Sequence, residues 1–509
     1  MGTAKRFAFS ESRVSRAELK VASVNGAAIN FGSQALKFLM QFCYQILIAR
    51  LLLPEDFGIV AMAAPLFAFA ALFSDFGLTQ ATVQRDEITQ DQLSFVFWVN
   101  VGLSAAICLA VIALAPAAGV FFKQPQVVPI VIALSATFVI GGLCAQHIAL
   151  LNRQLLFSKI ALVELFSFLV GSVTGLLFAW SGFGYWALVY SQIGVSLSTL
   201  LLAWSFVRWV PSMPVLRREN LQLLNFGANI TSFNFLNFFA RNFDNILIGR
   251  YLGETPLGIY DRAYKLLLLP LSQITTPIAK VALPSLARTL NEPATYRRFY
   301  FRMLELIILA TYPAVIFAII NSELLIVTLL GPRWSEVSQV FSILAFGAIF
   351  APISSSTGWL FISQDRTKEM RNWGALSSAL FVASFVCGLP WGISGVAAFY
   401  ICVGTVQGPV LWWGATRRGP LTFRQLLETL WPYFISAIIT GVLECSLKAS
   451  LPSNFVALFT SLVASYVVFL GVVMVFSSSR KGVIELAFEA RVVGGRFYRK
   501  VTHPASARG

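Results

Sequence analysis

Charge is what this sequence has least of. Only 12% of its 509 residues are Asp, Glu, Lys or Arg, about half the share of an ordinary soluble domain. Histidine is nearly absent, with only His147 and His503, so a His-based catalytic group or zinc site has almost nothing to be built from. The six cysteines (Cys43, Cys108, Cys144, Cys387, Cys402, Cys445) all lie in apolar runs without C-x-x-C spacing. They read as small buried residues, not as disulfides or metal ligands, and neither a metal nor a cofactor is expected. Apolar residues are abundant, at 57% of the chain with a mean hydropathy of +0.74. A soluble fold of this size could not cover itself with so little charge. A soluble globular enzyme is therefore excluded as the default, and a polytopic membrane protein remains. Lys5, Arg6, Arg13, Arg16 and Lys20 precede the first apolar run, which lacks a clear cleavage site. It reads as a retained first helix and not as a signal peptide.

Apolar runs of spanning length centre near 23–49, 57–80, 93–115, 127–149, 159–180, 184–207, 221–249, 257–283, 300–320, 336–363, 373–389, 392–414, 428–447 and 455–477. The expected fold class is thus an all-α polytopic membrane protein of about fourteen transmembrane helices. At ~20 residues per span, no room is left for a large extramembrane domain. An even count puts both termini on one side. With both cytoplasmic, 28 of the 38 Lys and Arg residues fall in cytoplasmic segments. Five (Arg50, Lys123, Arg250, Arg333, Lys448) fall in outer loops, and the rest lie within spans. That asymmetry is what the positive-inside rule requires of a correct count and orientation. It also accounts for the net charge of +15 without a nucleic-acid partner. The outer loops are short, the largest lying near 320–335. The tail from Arg480 to Lys500 alternates apolar and basic residues and reads either as an amphipathic helix on the anionic leaflet or as a disordered basic tail.

A repeat runs through the chain at an offset of 200. Residues 46–63 (ILIARLLLPEDFGIVAMA) and 246–263 (ILIGRYLGETPLGIYDRA) share Ile46, Leu47, Ile48, Arg50, Leu52, Gly58, Ile59 and Ala63 with Ile246, Leu247, Ile248, Arg250, Leu252, Gly258, Ile259 and Ala263. The repeat spans six helices, an even number, so the copies share one orientation and are related by an axis along the membrane normal. The expected organisation is a cytoplasmic N-terminus (1–22), a six-helix lobe (23–210), a second six-helix lobe (211–418), two appended helices (419–479) and a basic tail (480–509). Two lobes meeting at a cleft are the geometry of alternating access.

Polar residues sit inside the spans. Gln34, Lys37, Gln41, Tyr44 and Gln45 occupy one face of the first span, and the seventh carries Asn234, Asn237, Arg241, Asp244 and Asn245 on the matching face. A charge at the bilayer centre costs at least ~2.5 kcal/mol, so such faces avoid lipid. They read either as walls of a wet cleft between the lobes or as polar glue within one lobe. The eighth span opens with Tyr260, Asp261, Arg262, Tyr264 and Lys265. The four cations Lys37, Arg241, Arg262 and Lys265 favour an anionic ligand, and phosphate or pyrophosphate fits both Arg and Lys. The competing reading is internal ion pairing, Arg241 with Asp244 and Lys265 with Asp261. Asp75, Glu164, Glu305 and Glu444 are further acids in or near spans that could hold a coupling ion or serve structurally.

Several segments carry a family likeness: Ala49–Gly58 (ARLLLPEDFG), Asp75–Leu78 (DFGL), Gly249–Gly253 (GRYLG) with Gly258–Tyr260 (GIY), and Gly358–Arg366 (GWLFISQDR). From about residue 20 to 480 the chain resembles the polysaccharide transporter (Wzx-type) flippases of the multidrug/oligosaccharidyl-lipid/polysaccharide exporter superfamily. The branch is the one associated with lipopolysaccharide, colanic acid or succinoglycan export. The resemblance implies fourteen helices in two six-helix lobes plus two. It implies an undecaprenyl-pyrophosphate-linked oligosaccharide carried from the inner to the outer leaflet of the bacterial inner membrane. Membrane lipids would be partners, as would a polysaccharide polymerase or export machinery. It further implies that cavity Arg and Lys hold the pyrophosphate, with Lys37, Arg241, Arg262 and Lys265 as the matching positions.

Two other classes compete. A cation-coupled multidrug exporter of the same superfamily should have an acidic cavity, whereas the two stripes and the eighth-span start carry four cations against Asp244 and Asp261. A membrane polymerase or ligase needs a sizeable outer loop with catalytic residues, which the short loops do not offer. No enzyme activity is expected.

Overall fold

The structure is a computed structural model. It describes residues 6–7, 16–73, 79, 82–83, 88–214, 228–450, 452, 454–477, 479–480, 482 and 484; the side chains of 16–31 and of 228–240 other than Phe238 fall outside the description. Asp75 and the 485–509 part of the tail also lie outside the described residues.

The described residues are helical almost throughout. The elements are α1 (Arg16–Leu51), α2 (Pro54–Ala71), α3 (Gln90–Phe122), α4 (Val127–Arg153), α5 (Phe157–Trp180), α6 (Trp186–Phe206), α7 (Ala228–Tyr251) and α8 (Glu254–Arg288). They continue as α9 (Pro293–Ile320), α10 (Ser322–Leu330), α11 (Val337–Ala348), α12 (Ala351–Ser363), α13 (Thr367–Gly388), α14 (Gly392–Thr416), α15 (Phe423–Ser450) and α16 (Phe455–Val475). Among the described residues the only β structure is a two-residue antiparallel pairing of Arg6–Phe7 with Ile88–Thr89.

Local chemistry sets the helix ends. Thr89 caps α3 through a reciprocal box, its Oγ1 accepting from Gln92 N at 3.3 Å while Gln92 Oε1 accepts from Thr89 N at 3.0 Å. Pro54 begins α2, where its missing N–H is harmless, and Asp56 takes the free N–H of Leu53 at 3.0 Å. Asn454 caps α16 by accepting from Ala457 N at 2.8 Å. Gly253, at φ +93, turns α7 into α8.

Among the described residues ten helical stretches are long and apolar enough to cross a bilayer, and the pair α11 and α12, bent by 42°, makes an eleventh. The expected single run at 336–363 is thus broken, at Ile349–Phe350. The expected outer loop at 320–335 is also corrected: it is largely helical, formed by α10 and a 3-10 turn at Pro332–Trp334. α1 and α7 are absent from the ten because their polar stripes lower their hydropathy.

The chain divides into two compact units, Met1–Arg262 with Ser378–Val396, and Ala263–Ser377 with Ala397–Gly509. In the first, small residues let helices approach closely. Gly171 of α5 faces Ser191 and Val195 of α6, and Gly142 of α4 faces Asn100 and Ser104 of α3. This is the usual device of membrane helices, which lack a hydrophobic drive to associate. One end of this unit holds a cluster of Ile88, Leu93, Phe97, Leu150, Leu151, Val163, Val207 and Trp209, with His147 stacked on Trp204 at 4.3 Å. The second unit is built around α9, whose Tyr296, Tyr300, Leu304, Ile307, Ile308 and Tyr312 are fully buried. Tyr296 and Tyr300 bond Ser363 and Ser356 of α12 at 2.6 and 2.8 Å. The hydroxyls of Tyr296 and Tyr300 are thereby satisfied, whereas Tyr312 Oη has no hydrogen-bond partner among the described residues.

Candidate functional site

The two copies of the repeat meet in the first unit. Gly58, near the start of α2, lies against the backbone of Glu254, and Gly258, near the start of α8, lies against the backbone of Pro54. The contact is reciprocal at the repeat offset of 200, as a two-fold relation requires. It brings Gln45, at the end of the first stripe, against Arg262 at the start of α8. The Arg262 guanidinium donates through Nη1 to Gln45 Oε1 and through Nη2 to Asp261 Oδ2 at 3.3 Å. Its Cζ lies 4.1 Å from the centre of the Phe57 ring, a cation–π distance. Arg262 and Asp261 are buried, and Arg262 Nε has no hydrogen-bond partner.

Asp244 is buried as well. Its carboxylate accepts from Tyr260 Oη at 3.1 Å and from Asn245 N at 2.8 Å. The Arg241–Asp244 pair of the competing reading does not form: Asp244 faces Tyr260, while Arg241 is exposed and makes no ion pair among the described residues. Lys37 bonds Glu164 of α5 at 2.8 Å, with the two side chains 28% and 38% exposed. Gln34 reaches the same carboxylate at 3.4 Å. Tyr44 donates to Ser191 of α6 at 2.9 Å. Gln41 is half-buried. The side chains of Asn234 and Asn237 lie outside the described residues. Lys265 is exposed and falls in the second unit.

Of the residues read as one cation set, three belong to the first unit and differ in state. Arg262 is buried and partnered, Lys37 is half-exposed and paired, and Arg241 is open. Sequence reasoning missed the partners Glu164, Ser191 and Phe57 in these roles. Phe57 lies inside the repeat motif, and Glu164 was visible as an acid within a span; nothing in sequence tied either to its cation. Among the described residues no group of three or more His, Cys, Asp or Glu is placed to hold a metal.

The polysaccharide biosynthesis protein family matches residues 47–339, more than half of the chain. The chain belongs to this family. Its relatives include the lipopolysaccharide biosynthesis protein WzxC of Escherichia coli K12, 24% identical over 79% of this chain and 84% of the relative. The teichuronic acid biosynthesis protein TuaB of Bacillus subtilis 168 is 24% identical over 75% and 80%. The succinoglycan biosynthesis transport protein ExoT of Rhizobium meliloti is 26% identical over 64% and 66%. The fold is shared with the lipid II flippase MurJ in an inward closed conformation (TM-score 0.70, 14% identity, 88% of this chain and 98% of that one). An inward-facing multidrug resistance transporter of the MATE family also matches (TM-score 0.58, 16% identity, 75% and 94%). Family and fold agree with the resemblance read from Ala49–Gly58 and Gly358–Arg366.

Proposed function

We propose that this protein is a flippase that carries an undecaprenyl-pyrophosphate-linked oligosaccharide from the inner to the outer leaflet of the bacterial inner membrane by alternating access. Family membership and the names of WzxC, TuaB and ExoT support the polysaccharide assignment. The single structural observation that carries the binding mode is Arg241, an exposed cation without an ion-pair partner among the described residues, on the helix that carries the second polar stripe. In this reading Arg241 makes the first contact with the pyrophosphate. Lys37 follows by exchanging Glu164 for phosphate oxygen, and Lys265, in the second unit, remains a candidate cation for the same headgroup class. Arg262 holds the two repeats in register. Gln34, Gln41, Gln45, Asn234, Asn237, Asn245 and the acids Asp244 and Asp261 complete the polar wall. The polyprenyl tail stays in lipid, and no bond is made or broken. The protein's work is to shield a polar headgroup from hydrocarbon.

Fourteen spans fit the helices. The apolar stretch Thr367–Thr416 has 50 residues, about 75 Å at 1.5 Å per residue, more than two bilayer cores. Its 3-10 break at Leu389–Trp391 supports two crossings. Counting the bent α11–α12 pair as one and adding α1 and α7 gives fourteen. This reading retains the lobes 23–210 and 211–418, the appended pair 419–479, and both termini in the cytoplasm. On the outer face the polymerase or export machinery would take the product. The test is polymer export by an Arg241→Ala strain whose protein level and membrane insertion are unchanged. Loss of export is expected, and wild-type export refutes the anion contact.

A further inference from the structure

The second unit has a basic cavity that the flippase reading does not use. Its volume is about 270 Å³, and among the described residues it is lined by Ala294, Thr295, Arg298, Phe299 and Arg302, all near the start of α9. Thr295, Arg298 and Arg302 are spaced i, i+3, i+7 and share one face of the helix. Helical side chains lean toward the N-terminus, so both guanidinium groups are drawn over the first turn. Arg298 is exposed and makes no ion pair among the described residues. Arg302 is half-buried and has contacts of its own, so Arg298 is the cation with charge to offer.

The acids of this unit do not neutralise the cavity. Glu369 is held by Arg366 and Arg418, and Glu428 by Arg424. Glu305 turns its carboxylate to the backbone of Gly482, where an added Cβ would stand 2.7 Å from its Oε2. Glu292, just before α9, is exposed and gives the helix no side-chain cap. Pro293 has no N–H, so Ala294 and Thr295, both in the cavity wall, keep N–H groups without an intrahelical acceptor. Two guanidinium groups and these donors in one cavity are the chemistry that recognises a phosphate.

The rest of the face favours a phosphate that carries an acyl chain. Leu306 and Leu309 continue the Arg298–Arg302 stripe into the apolar body of α9, and both are only partly buried. Phe299 adds an apolar wall beside the cations. A free phosphate uses the cavity alone, whereas a phospholipid uses the cavity and the leucine lane below it.

We infer that the start of α9 is a binding site for the phosphate of an acidic phospholipid, on the side that the charge asymmetry assigns to the cytoplasm. Arg298 makes the principal contact, Arg302 adds charge from deeper in the cavity, and one acyl chain lies along Leu306 and Leu309. The site serves a structural lipid of the inner leaflet and does not require the flippase reading.

The test titrates the full-length wild type, Arg298→Gln and Arg371→Gln with phosphatidylglycerol, phosphatidylcholine or inorganic phosphate, and reads bound species by native mass spectrometry. Arg298 is exposed, so its loss should not disturb folding. Wild type is expected to prefer phosphatidylglycerol to phosphatidylcholine. Arg298→Gln should weaken phosphatidylglycerol about fivefold, the worth of one cation at an anionic headgroup, and leave phosphatidylcholine unchanged. Arg371 of α13 is also exposed, so Arg371→Gln removes the same charge elsewhere and should match wild type. No preference in wild type, no loss in Arg298→Gln, or equal losses in the two variants overturns the site. Displacement of phosphatidylglycerol by millimolar inorganic phosphate overturns the lipid in favour of a free-phosphate site. The probes carry neither pyrophosphate nor sugar, so this result and the Arg241 export test can fail independently.

Discussion

Gly58 packs on the backbone of Glu254. A Cβ at Gly58 would overlap the Glu254 carbonyl, and one at Gly258 would overlap the Pro54 carbonyl and stand 3.0 Å from Gly58 N. The obstructing atoms are backbone and cannot swing aside. The repeat visible in sequence is therefore an interface in which each copy supplies the glycine that the other needs.

Replacing either glycine should separate α2 from α8. Gly258→Ala is expected to destabilise by about 1–3 kcal/mol, the usual range for overpacking, and to lower export. Gly102 and Gly141 are helical glycines with nothing within 4 Å of an added Cβ, so Gly102→Ala and Gly141→Ala serve as controls. Thermal unfolding of the purified variants in detergent decides the matter. If Gly258→Ala melts with the controls, the close approach carries no weight.

Arg366 binds a turn at the other end of the second unit. Its Nη1 donates to Ala415 O at 2.7 Å and Arg418 O at 2.9 Å, and its Nη2 to Gly414 O at 3.1 Å and Glu369 at 2.8 Å. The hydrogen bond from Arg366, followed by the charges of Arg366 and Arg418, holds the Glu369 carboxyl below its ordinary value of 4.5. A depressed carboxyl stabilises the fold above its unfolded-state value and loses that contribution as pH falls through the folded one. Glu369 lies in the first turn of α13, before the apolar run 373–389, and is partly exposed, so the effect is small. The melting temperature of wild type should fall on acidification below about pH 4.5, and that of Glu369→Gln should fall less. Parallel acid limbs would show that the Arg366 bond to Glu369 does not contribute to stability.

Much of this was legible in the sequence, for physical reasons. Spans declare themselves by apolar length, and the Ile46–Ala63 and Ile246–Ala263 segments by identity. Pairing was not legible. Lys37 and Glu164 lie 127 residues apart, and register on one helix says nothing about which neighbour supplies a counter-charge. The nearest acid in sequence is not the partner: Asp244 is three residues from Arg241, yet its carboxylate is taken by Tyr260. The break at Ile349–Phe350 was hidden because both halves are apolar. The Gly58–Gly258 contact was hidden because a glycine in an apolar repeat does not reveal what approaches it.

Arg262 and Arg241 should separate cleanly on mutation. Arg262→Ala leaves Asp261 buried without its guanidinium and removes the link to Gln45, a loss of about 3–5 kcal/mol for a broken buried pair. Its first symptom should be low protein yield. Arg262→Lys should not restore it, because an ammonium cannot reproduce the fork that reaches both Gln45 and Asp261 while stacking on Phe57. Arg241→Ala should leave stability within about 0.5 kcal/mol, as expected of an exposed site, and reduce affinity for a pyrophosphate lipid by about ten- to a hundredfold, the worth of one charged hydrogen bond. Equal melting of both arginine variants would remove the structural role assigned to Arg262.

The Lys37–Glu164 pair offers a test in which binding should improve. Both side chains are partly exposed, so the pair itself contributes less than about 1 kcal/mol to folding. If Glu164 competes with phosphate for the ammonium, Glu164→Gln removes the competitor and keeps the shape. Affinity for a pyrophosphate-bearing lipid should then rise about two- to fivefold, with the melting temperature nearly unchanged. Lys37→Met should weaken binding, and the double variant should match Lys37→Met, since Glu164 then has no cation to withhold. Native mass spectrometry of the four proteins with one lipid gives the cycle. If Glu164→Gln strengthens binding equally in the Lys37→Met background, the carboxylate acts by general repulsion and Lys37 is not a ligand.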